Sequence, residues 1–368
     1  MITDKANFMA TQGHSVMLVS YEQGQHPLSY ELHPSVRFSD LDCRFFTLSS
    51  YSIPVQLSRY FQLRKKFRES LADIIKDFSP DVVVLASDWL MLTDVVASAA
   101  KGTPLVTEFH NPYDFVMRKI GTSEGRLKLM LTQLYYRHAR KRLRLCERMV
   151  VLTERDADCW RKHFDKVSVI PNPVTLYPET IDDVQKEQGR IIFVGRLNHQ
   201  KRIERLVSAF AKIAPRHPEW HVDIFGEGGD RDALLRQIAE ARLEGRIVIH
   251  HPTKTIYDEY KRSQMLVLCS EHEARPLVLV EAMACGVPCV SMDCPYGPSE
   301  IIDHGKTGLL ARNGDIDDLA EKMEWLIVHD EERATMGRNA REEARKYKQE
   351  VIISQWEKLY KEVASTRH

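Results

Sequence analysis

With 368 residues and 43% apolar side chains, the chain is too long for one ordinary core and fits two domains of about 150 to 200 residues each. Lys+Arg and Asp+Glu both number 52, so no global charge calls for nucleic acid, and seven cysteines without a C-x-x-C pair argue against a disulfide framework or a zinc ribbon. No run approaches the roughly 18 apolar residues of a membrane span and no signal-peptide pattern opens the chain, so a reducing cytosol is the expected compartment.

The chain opens with "MITDKANFMATQGHSVMLVS". This predicts a helix with Ile2, Ala6, Met9 and Ala10 on one face, a stop at Gly13 and a short strand from Val16 to Val19. A parallel α/β domain normally begins with a strand, because the helix is the crossover between parallel strands. A first strand and its Gly-rich turn, on the order of 15 to 25 residues, are therefore expected upstream, and Met1 reads as an internal start or the edge of a fragment. Apolar strand-like runs then alternate with 3.6-periodic helical segments: "VVVLAS", "PLVTEF" and "RMVVLT", followed by "RIIFVGR", "HVDIFGE", "RIVIHH", "MLVLCS" and "VPCVSM". Such alternation predicts α/β architecture, two doubly wound parallel sheets with helices on both faces.

The proline-rich, acidic stretch "VIPNPVTLYPETIDDVQKEQG" reads as the seam, giving domains at 1–172 and 173–350 and a cleft where the carboxyl ends of the two sheets meet. Residues 351–368 predict an amphipathic helix that closes the second domain or crosses back to the first. Charge divides along the same seam. Residues 1–172 carry 24 basic and 19 acidic side chains, and residues 173–368 carry 28 and 33.

Three stretches carry chemistry. In "FVGRLNHQKRIERLVSAF" a strand ends at Val194 and a helix begins near Ile203, so Arg196 and Lys201 flank a positive helix end suited to a diphosphate. In "DIFGEGGDRDALL" the glycines Gly226, Gly228 and Gly229 follow a buried strand and allow close approach of backbone to a ligand. In "SEHEARPLVLVEAMACGVPCVSMDCPYGPSEII" seven residues separate Glu273 from Glu281, placing one carboxylate on a loop and the other in the first turns of a helix. Carboxylates accept hydrogen bonds from vicinal hydroxyls, so the pair can hold a hexose and a ribose with phosphate between them. Cys285, Cys289 and Cys294 lie in an apolar stretch and read as core rather than metal ligands. The D-x-D tripeptides at Asp40/Asp42 and Asp230/Asp232 are of the kind a charge-rich chain yields by chance.

The E-x7-E spacing, "EAMACGVPCVS", "VGRLNHQK", "VIPNP" and "CPYGPSEIIDHGKTGLL" together resemble the retaining glycosyltransferases of family 4, with two Rossmann-like domains in the GT-B fold. The resemblance implies that Arg196 and Lys201 bind the donor diphosphate and Glu281 the ribose. Glu273 would hold hydroxyls of the transferred sugar, with the backbone of Arg275, Pro276, Leu277 and Val278 near the phosphate and sugar. It places His110, in "TEFHNPYDF", facing the donor sugar. The catalytic pair implied is thus Glu273 and His110, with no metal and no cofactor. Ala274 and Arg275 depart from the family's usual glycine and apolar residue, and Arg275 is expected to add a cation near the donor sugar.

The activity implied is transfer of a hexose or N-acetylhexosamine from a nucleotide diphosphate sugar, UDP first and GDP next. The acceptor would be a glycan or lipid-linked acceptor of cell-surface polysaccharide biosynthesis. Alternatives are a non-catalytic sugar-nucleotide-binding protein or inactive subunit, and a GT-B sugar-nucleotide epimerase. Residues 118–148 hold ten Lys/Arg and two Glu, with an apolar stripe of Leu127, Leu131, Leu134 and Tyr135. They read either as a peripheral contact with an anionic membrane at its inner face or as a solvated helix. The basic residues lack interleaved aromatics, so nucleic acid is not expected.

Overall fold

A computed structural model of the chain describes residues 2–24, 26–28, 30–86, 92–118, 137, 141–181 and 184–366. They form two compact units, Met1–Ile170 with Ile353–His368, and Pro171–Ile352. The first unit runs α1 (Ile2–Thr11), β1 (Met17–Ser20), β2 (Arg37–Asp40), α2 (Ile53–Phe78), β3 (Val83–Ala86), α3 (Thr93–Ala100), β4 (Leu105–Glu108), α4 (Tyr113–Arg118), β5 (Arg148–Val151), α5 (Glu154–Arg161) and β6 (Val167–Val169). The second runs β7 (Arg190–Val194), α6 (Ile203–Ile213), β8 (His221–Phe225), α7 (Arg231–Glu240), β9 (Ile247–His250), α8 (Ile256–Arg262), β10 (Met265–Leu268), α9 (Leu277–Ala284), β11 (Cys289–Met292), β12 (Gly308–Ala311), α10 (Ile316–Val328) and α11 (Asp330–Ala344). A last helix, α12 (Gln349–Ser365), passes from the second unit into the first at Ile353.

The second unit has one parallel sheet in the order β9-β8-β7-β10-β11-β12. Counted within the unit this is 3-2-1-4-5-6, the doubly wound order, and the strand order reverses between β7 and β10. Ile191 pairs with Val222 on one side and Met265 on the other. Ile191, Ile192 and Phe193 are fully buried, because a central parallel strand is covered on both faces and reads as a continuous apolar run. Cys285, Cys289 and Cys294 are buried free thiols within this unit. Burial pushes Cys285 and Cys294 up to about 12 and Cys289 higher still, so they pack as apolar groups.

In the first unit β3-β4-β5-β6 form one parallel ladder and β1-β2 another; among the described residues no ladder joins them. Every residue of β1 is only half-buried, and Val84 on β3 is 37% exposed. On α1, Ala6, Met9 and Ala10 are buried as the periodicity requires, but Ile2 in the first turn is exposed. The helix stops at Gly13, whose φ is +88°. α12 closes this unit by burying Trp356, Leu359 and Val363, and Lys5 of α1 lies 3.8 Å over the Trp356 ring. Of the basic stretch 118–148, residues 119–136 and 138–140 lie outside the described residues, and with them Leu127, Leu131, Leu134 and Tyr135. Two of its other cations are used within the unit: Arg142 is 3.5 Å from Asp94, and Arg148 is 3.9 Å from Glu362. Among the described residues no helix is long and apolar enough to cross a membrane.

Candidate active site

The loops that follow β7, β8 and β10 all leave the carboxyl edge of the second unit's sheet. Those after β7 and β10 flank the point where the strand order reverses, and they are laced together. Glu271 N–H donates to the Gln200 carbonyl at 2.9 Å, the Gln200 amide donates to the His272 carbonyl at 3.1 Å, and Arg202 pairs with Glu271 at 2.8 Å. Between them the short turn His199–Lys201 is capped by Asn198, whose side chain accepts from Lys201 N–H at 3.3 Å. Lys201 is thereby aimed at the β10 loop, and its Nζ donates to Glu273 Oε1 at 2.6 Å. Arg196, one turn earlier, is exposed and has no side-chain partner among the described residues. Of the two cations on the β7 loop, Lys201 is thus engaged by the Glu273 carboxylate and Arg196 is exposed.

Glu281 lies on α9, which Pro276 opens from an extended conformation, leaving the first amide groups of Leu277 and Val278 at a free helix start. Its carboxylate is largely buried, and Tyr260 on α8 donates to Oε2 at 3.0 Å. Burial pushes the Glu281 carboxyl above its usual range and the Tyr260 hydrogen bond partly opposes this. The sequence gives no local sign of this pair. A tyrosine wholly inside a core needs a partner for its hydroxyl, and that requirement is the one available hint.

Arg275 differs from the expectation. Its side chain is 6% exposed and contributes no cation to open space. Nη2 donates to the Tyr347 hydroxyl at 2.5 Å, Nη1 lies 3.6 Å from the Glu300 carboxylate, and the guanidinium sits 5.0 Å from the Tyr347 ring centre. The segment Glu273–Pro276 is braced against Tyr296–Glu300: Glu273 bridges to Tyr296, and a Cβ on Gly297 would come within 2.6 Å of Pro276. Tyr296 holds φ at +78°, a strained value for a bulky residue, directly opposite Glu273.

The glycines also play a different part. A Cβ on Gly226 would lie 1.9 Å from the Gly195 carbonyl oxygen, and one on Gly228, at φ +153°, would lie 2.2 Å from the Leu197 carbonyl. Both are glycine because the β7 loop passes over them. Gly229 alone has open space around its missing Cβ.

In the first unit, His110 follows β4. Its Nε2 is 3.1 Å from Glu108 Oε1, in electrostatic contact but off the hydrogen-bond direction, and its buried Nδ1 has no partner among the described residues. Glu108 is itself buried. Burial would raise its carboxyl, but the ion pair with Lys5 and the neighbouring His110 outweigh this and bring it down to about 2.

Two parallel α/β units, the second gathering cations and carboxylates at its strand reversal, are the architecture of a GT-B glycosyltransferase. Comparison with known proteins agrees. The model of Glycosyltransferase Family 4 matches residues 1–176 and that of Glycosyl transferases group 1 matches residues 180–343. The chain belongs to the family 4 glycosyltransferases of the GT-B fold. It is 35% identical to an exopolysaccharide phosphotransferase of Streptomyces coelicolor over 60% of this chain, but spans only 24% of that relative's length. It is 25% identical to a Campylobacter jejuni α-1,4-N-acetyl-D-galactosaminyltransferase that acts on a diphosphoundecaprenol-linked glycan, over 95% of this chain and 91% of the relative. Among solved structures, HepE of Anabaena in complex with UDP superposes with a TM-score of 0.72 at 18% identity, covering 98% of this chain and 95% of that one.

Proposed function

We propose that the protein is a retaining glycosyltransferase that moves a hexose or N-acetylhexosamine from a UDP-sugar to a lipid-linked glycan in surface polysaccharide biosynthesis. The observation that carries this reading is the convergence of Lys201, Glu273 and the start of α9 at one edge of one sheet, with Glu281 a turn further on. The full-length relative from Campylobacter acts on an undecaprenol-linked glycan, which favours a lipid-linked acceptor.

In this reading Arg196 and Lys201 neutralise the diphosphate, with the first amides of α9 as further donors. Glu281 accepts from the ribose hydroxyls, and Glu273 accepts from hydroxyls of the transferred sugar once Lys201 turns to phosphate. The bond from the anomeric carbon to the β-phosphate oxygen breaks, a bond to the acceptor oxygen forms on the same face, and the acceptor proton passes to the leaving diphosphate. His110, assigned to the sugar, steadies it through a hydrogen bond from its ring. Charge compensation on the leaving group is assigned to side chains and backbone rather than to a metal.

A thermal-shift screen of nucleotide sugars tests the donor site. The right donor at 100 times its Kd adds about 2.7 kcal/mol to folding stability. Transfer of radiolabelled sugar to membrane lipid extract tests the reaction. No shift with any nucleotide sugar overturns the donor site. Transfer that persists undiminished in Glu273→Ala overturns the assignment of Glu273.

A further inference from the structure

Arg275 stands in the chain between Glu273, assigned to the transferred sugar, and Leu277, which opens α9. Both of its terminal nitrogens are taken up by the protein. Nη1 faces the Glu300 carboxylate, while Nη2 donates to the Tyr347 hydroxyl and lies 3.5 Å from the Glu300 carbonyl. The Tyr347 hydroxyl in turn donates to that carbonyl at 3.5 Å. Tyr347 is fully buried on the 3-10 turn Arg345–Tyr347, and its own carbonyl accepts from Val174 N–H at 2.8 Å. The turn that receives the guanidinium is therefore fixed from its other side to the segment that opens the second unit at Pro171. A guanidinium already paired with a carboxylate and sunk against a ring is a poor anion site, but its planar fork holds two elements at a set separation. The brace has a second end. Glu273 bridges to Tyr296, whose strained φ of +78° persists only where the surroundings over-determine it, and Glu300 closes the same short segment.

We propose that Arg275 is a positioning residue for the donor sugar: tied to Glu300 and Tyr347, it fixes the loop that carries Glu273 without touching the donor itself. This rests on the proposed assignment of Glu273 to the sugar. A carboxylate recognises hydroxyls only at hydrogen-bond distance, and a misplacement of about 1 Å costs on the order of 100-fold. The residue that anchors its loop thus governs recognition of the sugar. The nucleotide end is held differently. Glu281 is carried by α9 and braced by Tyr260, and Arg196 belongs to the β7 loop, so UDP alone should not sense the loss of Arg275.

Calorimetry on the full chain with UDP, UDP-glucose, UDP-galactose and their N-acetylhexosamine counterparts tests this. The readout is the Kd of UDP divided by the Kd of whichever UDP-sugar binds wild type most tightly. Glu273→Ala and Arg275→Met are each expected to lower this ratio by about tenfold or more, with UDP affinity near that of wild type. Tyr347→Phe keeps the ring and removes only the hydroxyl, so it should lower the ratio less; it decides the question if Arg275→Met does not fold. Arg275→Met/Glu273→Ala should fall no further than Glu273→Ala alone, because one residue acts through the other. Additive losses would put Arg275 on the sugar, and an unchanged ratio in Arg275→Met would make the brace structural only. Either result overturns the proposal, as does equal weakening of UDP and UDP-sugar. A ratio that survives Glu273→Ala, or a wild type that binds none of these sugars, overturns the underlying donor reading and the proposal with it. Those failures are told apart from the others because they appear with Arg275 intact.

Discussion

Lys201 and Glu273 are bonded to each other at 2.6 Å, with side chains only 13% and 9% exposed. The cation assigned to the diphosphate and the carboxylate assigned to the sugar thus neutralise one another. In the proposed reading a donor parts them, with its phosphate and hydroxyls as their new partners. The pair keeps two buried charges compensated.

That arrangement separates stability from binding. Lys201→Met leaves Glu273 buried without its cation and is expected to cost about 3 kcal/mol in urea unfolding. Lys201→Met/Glu273→Gln removes both charges and should recover most of that loss. Neither variant should bind donor. A double variant as unstable as Lys201→Met would show that the ion pair does not govern the stability of this loop.

Glu281 gives a pH dependence whose sign is fixed. Burial raises its carboxyl above the ordinary value of 4.5. The ionised form therefore costs folding stability above that raised value, and the cost is relieved as pH falls through it. Binding runs the other way, because a protonated Glu281 accepts poorly from ribose hydroxyls. Donor affinity measured by calorimetry should thus weaken on acidification at a pH above 4.5. Tyr260→Phe removes the hydrogen bond that opposes the shift, so the weakening should begin at higher pH. A 2′-deoxy donor should show less of either effect, which a general loss of folding would not explain.

The contrast between Glu281 and Tyr260 also shows what the sequence could reveal. Parallel strands buried on both faces leave uninterrupted apolar runs such as Ile191–Phe193, and a fixed seven-residue spacing places one glutamate before a helix and the other inside it. These are local signals. Tyr260 meets Glu281 from 21 residues away, and Tyr347 meets Arg275 from 72. No periodicity records such contacts. Arg275 could be read as a cation, but its pairing with the Glu300 carboxylate and its hydrogen bond to Tyr347 depend on tertiary packing.

Glu108 should make the first unit acid-sensitive. Its carboxyl lies at about 2 in the folded chain against an ordinary 4.5, a shift that corresponds to about 3 kcal/mol. This stabilisation is complete above the ordinary value and is lost as pH falls toward about 2. Lys5→Met is expected to lose most of it at neutral pH, together with the contact to Trp356. The unfolding free energies of variant and wild type should converge toward pH 2. A constant difference across that window would mean that Lys5 stabilises by packing on Trp356 and not through Glu108.

The three glycines after β8 allow packing to be separated from ligand contact. Gly226→Ala must push a Cβ into the Gly195 carbonyl, 1.9 Å away, and Gly228→Ala adds strain at φ +153° to a 2.2 Å clash with Leu197. Both obstacles are backbone atoms that no rotamer change can move, so each variant should lose several kcal/mol or fail to fold. Gly229→Ala meets nothing within 4 Å and has no positive φ, so its stability should stay within about 0.5 kcal/mol of wild type. Its value lies in the donor KM. If the sugar nucleotide runs over this loop, the added methyl raises KM while kcat and the unfolding midpoint stay fixed. An unchanged KM would mean that the glycine-rich turn serves only to let the β7 loop cross it, and that the donor is held by Arg196, Lys201, Glu273 and α9 without it.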